Sequence, residues 1–86
     1  MLEIKDTFSI NGRGVVVIGK LLSGSVRVGM TVSVLGKTGK VLEIEAQNSK
    51  PQEYTKIGGD VGVLVGGLKK EEFVKGHVLS FLYVTI

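Results

Sequence analysis

The chain has 86 residues, a formal net charge of +3 and a hydrophobic fraction of 43%, with thirteen glycines and no cysteine. This length predicts a single domain over residues 1–86, and the composition is typical of a compact all-β fold. The absence of cysteine excludes disulfides and thiolate metal sites. No apolar run approaches the roughly 20 residues of a membrane-spanning helix, and the first residues lack the layout of a signal peptide. We therefore expect a cytoplasmic protein with no membrane partner.

The first predicted element is a half-buried strand. Leu2, Ile4, Phe8 and Ile10 fall on alternate positions with polar residues between them, and this period of two marks a strand. Asp6 interrupts the apolar side, which predicts a bulge, a bend or the end of a barrel at that point.

A hairpin and a central strand follow. Asn11-Gly12-Arg13-Gly14 supplies residues that tolerate positive φ, as a tight turn requires. The segment Val15–Leu22 is apolar on both faces apart from Gly19 and Lys20, which is typical of a strand with neighbours on both sides. Gly19 would also allow the strong coiling that a small barrel needs.

The middle of the chain predicts another hairpin. Gly36-Lys37-Thr38-Gly39 reads as a four-residue loop between two strands. In the second of these strands Leu42, Ile44 and Ala46 are expected to face inward, while the glutamates between them face water. The polar stretch over residues 47–51 predicts a mobile loop.

The remaining elements complete an all-β pattern. They are a short strand carrying Tyr54 and Ile57, a second central strand Val61–Val65, at most one helical turn over Lys69–Val74 ended by Gly76, and a closing strand His77–Ile86 with Phe81 and Tyr83. Seven or eight strands separated by short turns predict a sandwich or a closed barrel. Four residues of the best-defined strands should be fully buried in its core: Val17, Ile44, Val63 and Leu79.

Positive charge is concentrated in the first half of the chain. Between Thr7 and Leu42 there are five basic residues and no acidic one, namely Arg13, Lys20, Arg27, Lys37 and Lys40. Strands joined by hairpins are usually neighbours, so we expect these cations on one side of the fold, where they would attract a polyanion such as RNA. Alternatively, they solvate outward strand faces and discourage edge pairing.

Catalytic groups are scarce. His77 is the only histidine, so two histidines of one chain cannot hold a metal, and no nucleophile motif accompanies any serine. Gly36-Lys37-Thr38 lacks the upstream glycine of a phosphate loop and lies between predicted strands. We therefore expect no enzyme activity, no cofactor, no metal and no small-molecule substrate.

Several glycine- and valine-rich blocks together carry a family resemblance. FSINGRGVVVIGKLLSGSVRVG begins at Phe8, and DVGVL, GLKKEE and KGHVL follow at Asp60, Gly67 and Lys75. In this order they resemble the second-domain β-barrel of translational GTPases such as elongation factor Tu and initiation factor 2. The resemblance implies a small closed antiparallel β-barrel of the translation-protein type. In that family the barrel follows a GTP-binding domain; here it begins near Met1, so we expect it to stand alone.

The same resemblance implies partners. In the family the barrel packs against the GTP-binding domain, contacts ribosomal RNA, and in elongation factor Tu helps to hold the aminoacyl end of transfer RNA. Elongation factor Tu has an acidic residue where Gly59 falls and an arginine where Gly66 falls, which argues against aminoacyl-tRNA binding of that kind. Two hypotheses remain open: a translation-associated module that binds ribosomal or transfer RNA, and an adaptor that docks a GTPase or another protein factor in trans.

Overall fold

The computed structural model describes residues 1–82, and their regular secondary structure is almost entirely β-strand. The strands are β1 (Leu2–Ile10), β2 (Gly14–Leu21), β3 (Val26–Arg27), β4 (Thr31–Val34), β5 (Lys37–Glu45), β6 (Glu53–Tyr54), β7 (Asp60–Gly66) and β8 (Val78–Leu82). One short 3₁₀ helix, Lys70–Glu72, lies between β7 and β8. The predicted closing strand is confirmed as far as Leu82; its continuation, with Tyr83, lies outside the described residues.

Six of the strands close into an antiparallel barrel in the order β1-β2-β7-β5-β4-β8, and β8 returns to β1. Strands β3 and β6 form a separate two-stranded sheet. Strands β2 and β7 each pair with a neighbour on both sides along most of their length, as their continuous apolar sequences predict. The predicted closed barrel, and not a flat sandwich, is the observed architecture.

The inward residues of all six barrel strands form one core. Val17, Ile44, Val63 and Leu79 each have 0% of their surface exposed, which confirms the prediction for these residues. Val17 lies opposite Val63, and Val63 lies opposite Ile44, so three neighbouring strands contribute to the same layer. Burial of such aliphatic side chains, each worth roughly 1.5–3 kcal/mol, is the main stabilising contribution in a domain of this size.

A β-bulge in β1 is the feature that shapes the outer surface. The register against β2 shifts between Ile4 and Asp6, as the break in the apolar pattern predicted. Since a bulge adds one residue to one strand, side chains beyond it move to the opposite face. Thr7 therefore pairs with the buried Val17, and Phe8 faces outward with 44% of its surface exposed.

Strand β5 contains a second bulge, and it corrects the predicted facing of this strand. The register against β7 shifts between Val41 and Glu43, so Val41 and Ile44 are buried while Leu42 is 45% exposed. The sequence pattern of alternate apolar residues predicted Leu42 inside. An extra residue leaves no signature in such a pattern when it is itself apolar, as Leu42 is, and continues the alternation with Ile44 and Ala46.

The predicted four-residue loop Gly36–Gly39 is wrong. The hairpin turns at Leu35 and Gly36, which have φ values of 50° and 78°, and β5 already begins at Lys37. Positive φ at both central residues gives a two-residue turn whose twist matches that of the flanking strands. Leucine rarely adopts a positive φ. The sequence pattern therefore indicated a turn bounded by Gly36 and Gly39 instead.

Two other turns differ from expectation. The segment predicted as a mobile loop contains a tight turn at Gln47 and Asn48, both with positive φ, closed by two hydrogen bonds between the main chains of Ala46 and Ser49. The single helical turn before β8 is confirmed. Gly76 does not cap it, because the helix ends at Phe73 and the Gly76 N–H donates to the Ile4 carbonyl.

Candidate functional site

Three of the five predicted binding cations share one outer face of the barrel. Lys20 follows Val16 and Ile18 on the outward side of β2, whose intervening residues are buried. Lys40 on β5 lies opposite Gly66 of β7, and Arg13 lies in the turn that leads into β2 at that same end. Arg13 precedes β2, and Lys20 lies about 20 Å along this strand from its first residue, Gly14, at a rise of about 3.3 Å per residue.

The other two cations lie elsewhere. Arg27 belongs to the small sheet, where its guanidinium contacts the Glu53 carboxylate at 3.1 Å. Lys37 begins β5 and contacts Glu72 of the 3₁₀ helix at 3.2 Å. The expectation that all five cations project from one side is therefore not met. Strands β2, β4 and β5 lie in the barrel, whereas β3 lies in a separate two-stranded sheet.

A groove crosses the outer face of β1, β2, β7 and β5 and has a volume of about 230 Å³. Its lining is apolar along the floor and charged at the rim: Phe8, Ile10, Val16, Ile18, Gly62 and Leu64, with Arg13, Glu43, Glu45 and Lys50. Leu64 points outward from β7 and still has only 4% of its surface exposed. The groove therefore offers a recessed apolar surface beside both cations and carboxylates.

Glu43 is the centre of the charged rim. Its two carboxylate oxygens contact the Lys50 ammonium at 2.8 Å and the Arg13 guanidinium at 3.1 Å. These contacts hold the pKa of Glu43 below its ordinary value, with the hydrogen bond from Lys50 as the largest cause and the charge of Arg13 as a smaller one. Because Glu43 is 25% exposed, it is better shielded from solvent than either cation.

Phe8, Glu43 and Lys50 were missed by sequence reasoning about the site. Phe8 reaches the groove only because the β1 bulge turns it outward, and the broken apolar pattern at Asp6 was the available signal. Lys50 comes from the stretch that was predicted as a loop. The tight turn at Gln47 and Asn48 folds it back toward β5, and nothing in its local sequence indicates that contact.

A wider, open cleft of about 500 Å³ lies beside the β1–β2 hairpin. One wall is the segment Ser9–Val15, and the other is the segment Gly66–Glu71 that precedes and enters the 3₁₀ helix. Arg13, Lys69 and Lys70 line it together with Glu71. Arg13 therefore lines both concave surfaces, at the junction between the groove and the cleft.

The two glycines at which this sequence departs from elongation factor Tu are close-packed. A side chain on Gly66 would begin 2.8 Å from the Leu42 side chain, and one on Gly59 would overlap the Tyr54 hydroxyl. Leu42 and Tyr54 therefore occupy the space that a larger residue would need.

Metal-ligating side chains do not converge within residues 1–82. No three histidine, cysteine, aspartate or glutamate residues of this part lie close enough to hold a metal ion. His77 is exposed at the start of β8, and its main-chain oxygen accepts a hydrogen bond from Ile4. In the same part of the chain, no helix has the length and apolar character to cross a membrane.

Comparison with known proteins identifies the barrel. No family model matches the sequence. The apo crystal structure of translation elongation factor SelB from Methanococcus maripaludis matches with a TM-score of 0.82 and 28% sequence identity. The match covers 94% of this chain and 18% of the SelB chain, so the barrel corresponds to less than a fifth of that protein. The chain is therefore a β-barrel of the elongation factor Tu second-domain type, a module like those of translation factors.

Proposed function

We propose that this barrel is a non-catalytic binding module that contacts structured RNA, ribosomal or transfer, through the outer face of β2, β7 and β5. The observation that carries the proposal is the placement of Arg13, Lys20 and Lys40 on that face, where Arg13 also lines the groove. Lys50 adds a fourth cation at the rim. Cations on β2 and β5, the two strands that flank β7, can follow a phosphate backbone, and such contacts dominate RNA affinity. Partners in the translation apparatus would place the protein in the cytoplasm.

Shape supports this proposal as well as charge. The β1–β2 hairpin carries Arg13 between two concave surfaces, and Lys69 and Lys70 line the second of them. Among residues 1–82, Phe8 is the one aromatic residue that lines the groove, so aromatic rings are few on this part of the face. Stacking of successive bases on aromatic rings, as in readers of single-stranded RNA, is therefore not the expected mode. Contact with the backbone of a folded RNA fits the surface better.

The salt dependence of binding tests this function. We expect the protein to retain a transfer RNA transcript in filter binding at about 50 mM salt, and to lose roughly twenty- to fortyfold in affinity at about 200 mM for three phosphate contacts. Affinity that is flat over this range, or no binding at the lower salt, would refute the proposal.

A matched pair of variants locates the contact. Arg13→Gln and Arg27→Gln each remove one charge from an arginine that contacts a glutamate at 3.1 Å. We expect Arg13→Gln to reduce the salt slope by about one phosphate contact and Arg27→Gln to leave it unchanged. Equal effects would mean that net charge, and not the outer face of β2, β7 and β5, determines binding.

A second candidate function is an adaptor for a GTPase or another protein factor. The observation that favours it is an exposed apolar cluster of Met1, Leu22 and Ile57, which are 52%, 42% and 57% exposed. Main-chain hydrogen bonds bring them together, because the Leu22 N–H donates to the Met1 carbonyl and the Gly58 N–H donates to the Leu21 carbonyl. Exposed apolar residues that cluster are typical of protein contact sites.

Nuclease treatment separates the two functions. A protein partner captured from cell extract should remain after RNA is digested, and Ile57→Ser should release it if the apolar cluster is the contact. Arg13→Gln should not affect such a partner. Capture that is lost with the RNA, and is weakened by Arg13→Gln, supports RNA binding instead.

A further inference from the structure

At the charged rim of the groove, one carboxylate contacts two cations, whereas a simple surface ion pair has one of each. Among the ion pairs of residues 1–82, Glu43 is the one carboxylate that contacts two cations, and these come from different hairpins. Arg13 belongs to the β1–β2 turn, and Lys50 follows the turn at Gln47 and Asn48. The carboxylate therefore joins two cations that are 37 positions apart in the sequence.

The position of Glu43 explains why both cations converge on it. Glu43 lies opposite Leu64 on the outward side of β5 and β7, and both residues line the groove. Arg13 reaches this position from the β2 side and Lys50 from the β5 side. An anion seated over Leu64 thus receives donors from two directions, and in the free protein Glu43 is that anion.

A phosphodiester oxygen makes the same contacts as a carboxylate oxygen. Both accept charge-assisted hydrogen bonds from arginine and lysine, and arginine in particular suits either group. Two anions cannot share these donors without repelling each other. Resting on the RNA-binding function proposed above, we infer that Glu43 is an intramolecular competitor for RNA phosphate: it occupies Arg13 and Lys50 in the free protein, and RNA binds by displacing its carboxylate.

The lowered pKa of Glu43 is consistent with this role, because the carboxylate stays ionised at neutral pH. Exposed ion pairs of this kind are individually weak, so displacement by an RNA strand with several phosphates is feasible. The competitor would therefore reduce affinity moderately and favour ligands that present phosphates to both cations at once. An isolated anion would have to replace Glu43 with no further contacts.

The test compares two glutamate variants that change net charge equally. Glu43→Gln removes the contacts of Arg13 and Lys50, while Glu53→Gln removes one contact of Arg27 on the small sheet, of the same 3.1 Å length as the Arg13 contact. In filter binding with a transfer RNA transcript, we expect Glu43→Gln to bind about three- to tenfold tighter. The gain is of this size because RNA no longer has to break two weak ion pairs. Glu53→Gln should change affinity by less than about twofold. Glutamine keeps the shape of glutamate. Thermal melts should be measured to check that each variant is folded.

A second background isolates the released cations. In a protein that carries Arg13→Gln and Lys50→Gln, the additional change Glu43→Gln should no longer increase affinity. An equal gain from Glu43→Gln and Glu53→Gln, a gain that persists in the doubly substituted protein, or weaker binding by Glu43→Gln would each overturn the inference while the wild type still binds RNA. Absence of binding by the wild type and by Glu43→Gln would instead count against the RNA-binding function.

Discussion

The main-chain oxygen of Glu3 lies against the Cα of Gly19, so closely that a methyl group on Gly19 would overlap it. The same methyl group would stand 2.7 Å from the Leu2 side chain. Gly19 pairs with Ile4, the last residue before the β1 bulge. The close approach of β1 and β2 therefore occurs just where β1 changes the face of its side chains.

Gly19→Ala should destabilise the protein by about 1–3 kcal/mol, because β1 must move away from β2 to admit the methyl group. Urea denaturation measures this loss. Gly62→Ala is the matched control, since a methyl group there would stand 3.3 Å from the end of the flexible Ile18 side chain. We expect it to cost less than about 1 kcal/mol. Equal losses at the two glycines would show that the β1–β2 contact is not restrictive.

Val63 tests the core. It has 0% exposure and lies between Val17 and Ile44, so Val63→Ala removes two methyl groups and leaves a cavity. The expected loss is about 1–3 kcal/mol in the free energy of unfolding. Val78→Ala, at a site that is 39% exposed, should cost less than about 0.5 kcal/mol. A small effect at Val63 would contradict the packing described for β2, β5 and β7.

The sequence predicted the barrel well because its signals are local and repeated. Alternation of apolar and polar residues located the strands, and the continuous apolar runs identified β2 and β7 as central. The order of the strands around the barrel needed the family resemblance, since periodicity alone allows a sandwich. The bulge in β1 was predicted from Asp6, while the bulge at Leu42 was not, because Leu42 is apolar and keeps the alternation with Ile44 and Ala46 unbroken.

The candidate site was predicted less completely because it depends on long-range contacts. Arg13, Lys20 and Lys40 converge on one face through the pairing of β2, β7 and β5. Arg27 lies instead on the small sheet, where β3 pairs with β6. Phe8 enters the groove through a change of face, and Lys50 enters it through a tight turn. The break in the apolar pattern at Asp6 signals the first event, whereas the second has no clear signature in a single sequence.

The hairpin turn at Leu35 offers a route to higher stability. Leu35 has φ of 50° and is 67% exposed, so it adopts a left-handed conformation with little compensation from burial. Leu35→Asn creates the Asn-Gly pair that suits this turn, and we expect a gain of about 0.5–1 kcal/mol. Leu22→Asn, at an exposed leucine without positive φ, should bring no gain. Chemical denaturation of both variants decides the question, and lower stability of Leu35→Asn would count against the assigned turn.

Acid should weaken the barrel through two carboxylates. The pKa of Glu72 is lowered mainly by the Lys69 N–H that donates to it, and the pKa of Glu43 mainly by Lys50. A carboxylate with a lowered folded pKa stabilises the protein above its unfolded pKa of about 4.3, and this contribution is lost as the pH falls through the folded pKa. The melting temperature should therefore fall as the pH is lowered from about 5 toward 3.

The variant Glu43→Gln with Glu72→Gln should show a smaller decrease over the same pH range. Glu71→Gln is the control, since Glu71 lies in the same 3₁₀ helix and is exposed. Its pH dependence should match that of the wild type. A double variant that is as sensitive to acid as the wild type would indicate that other carboxylates dominate the effect.

The central claim is that structured RNA contacts the outer face of β2, β7 and β5, and amide chemical shifts measured by NMR test it most directly. On addition of a transfer RNA transcript at low salt, we expect the largest changes in the β1–β2 hairpin at Arg13, and at Lys20, Lys40 and Lys50. The small sheet of β3 and β6 should change little. Changes confined to β3 and β6, or to the apolar cluster of Met1, Leu22 and Ile57, would contradict the claim, as would a spectrum that RNA leaves unaltered.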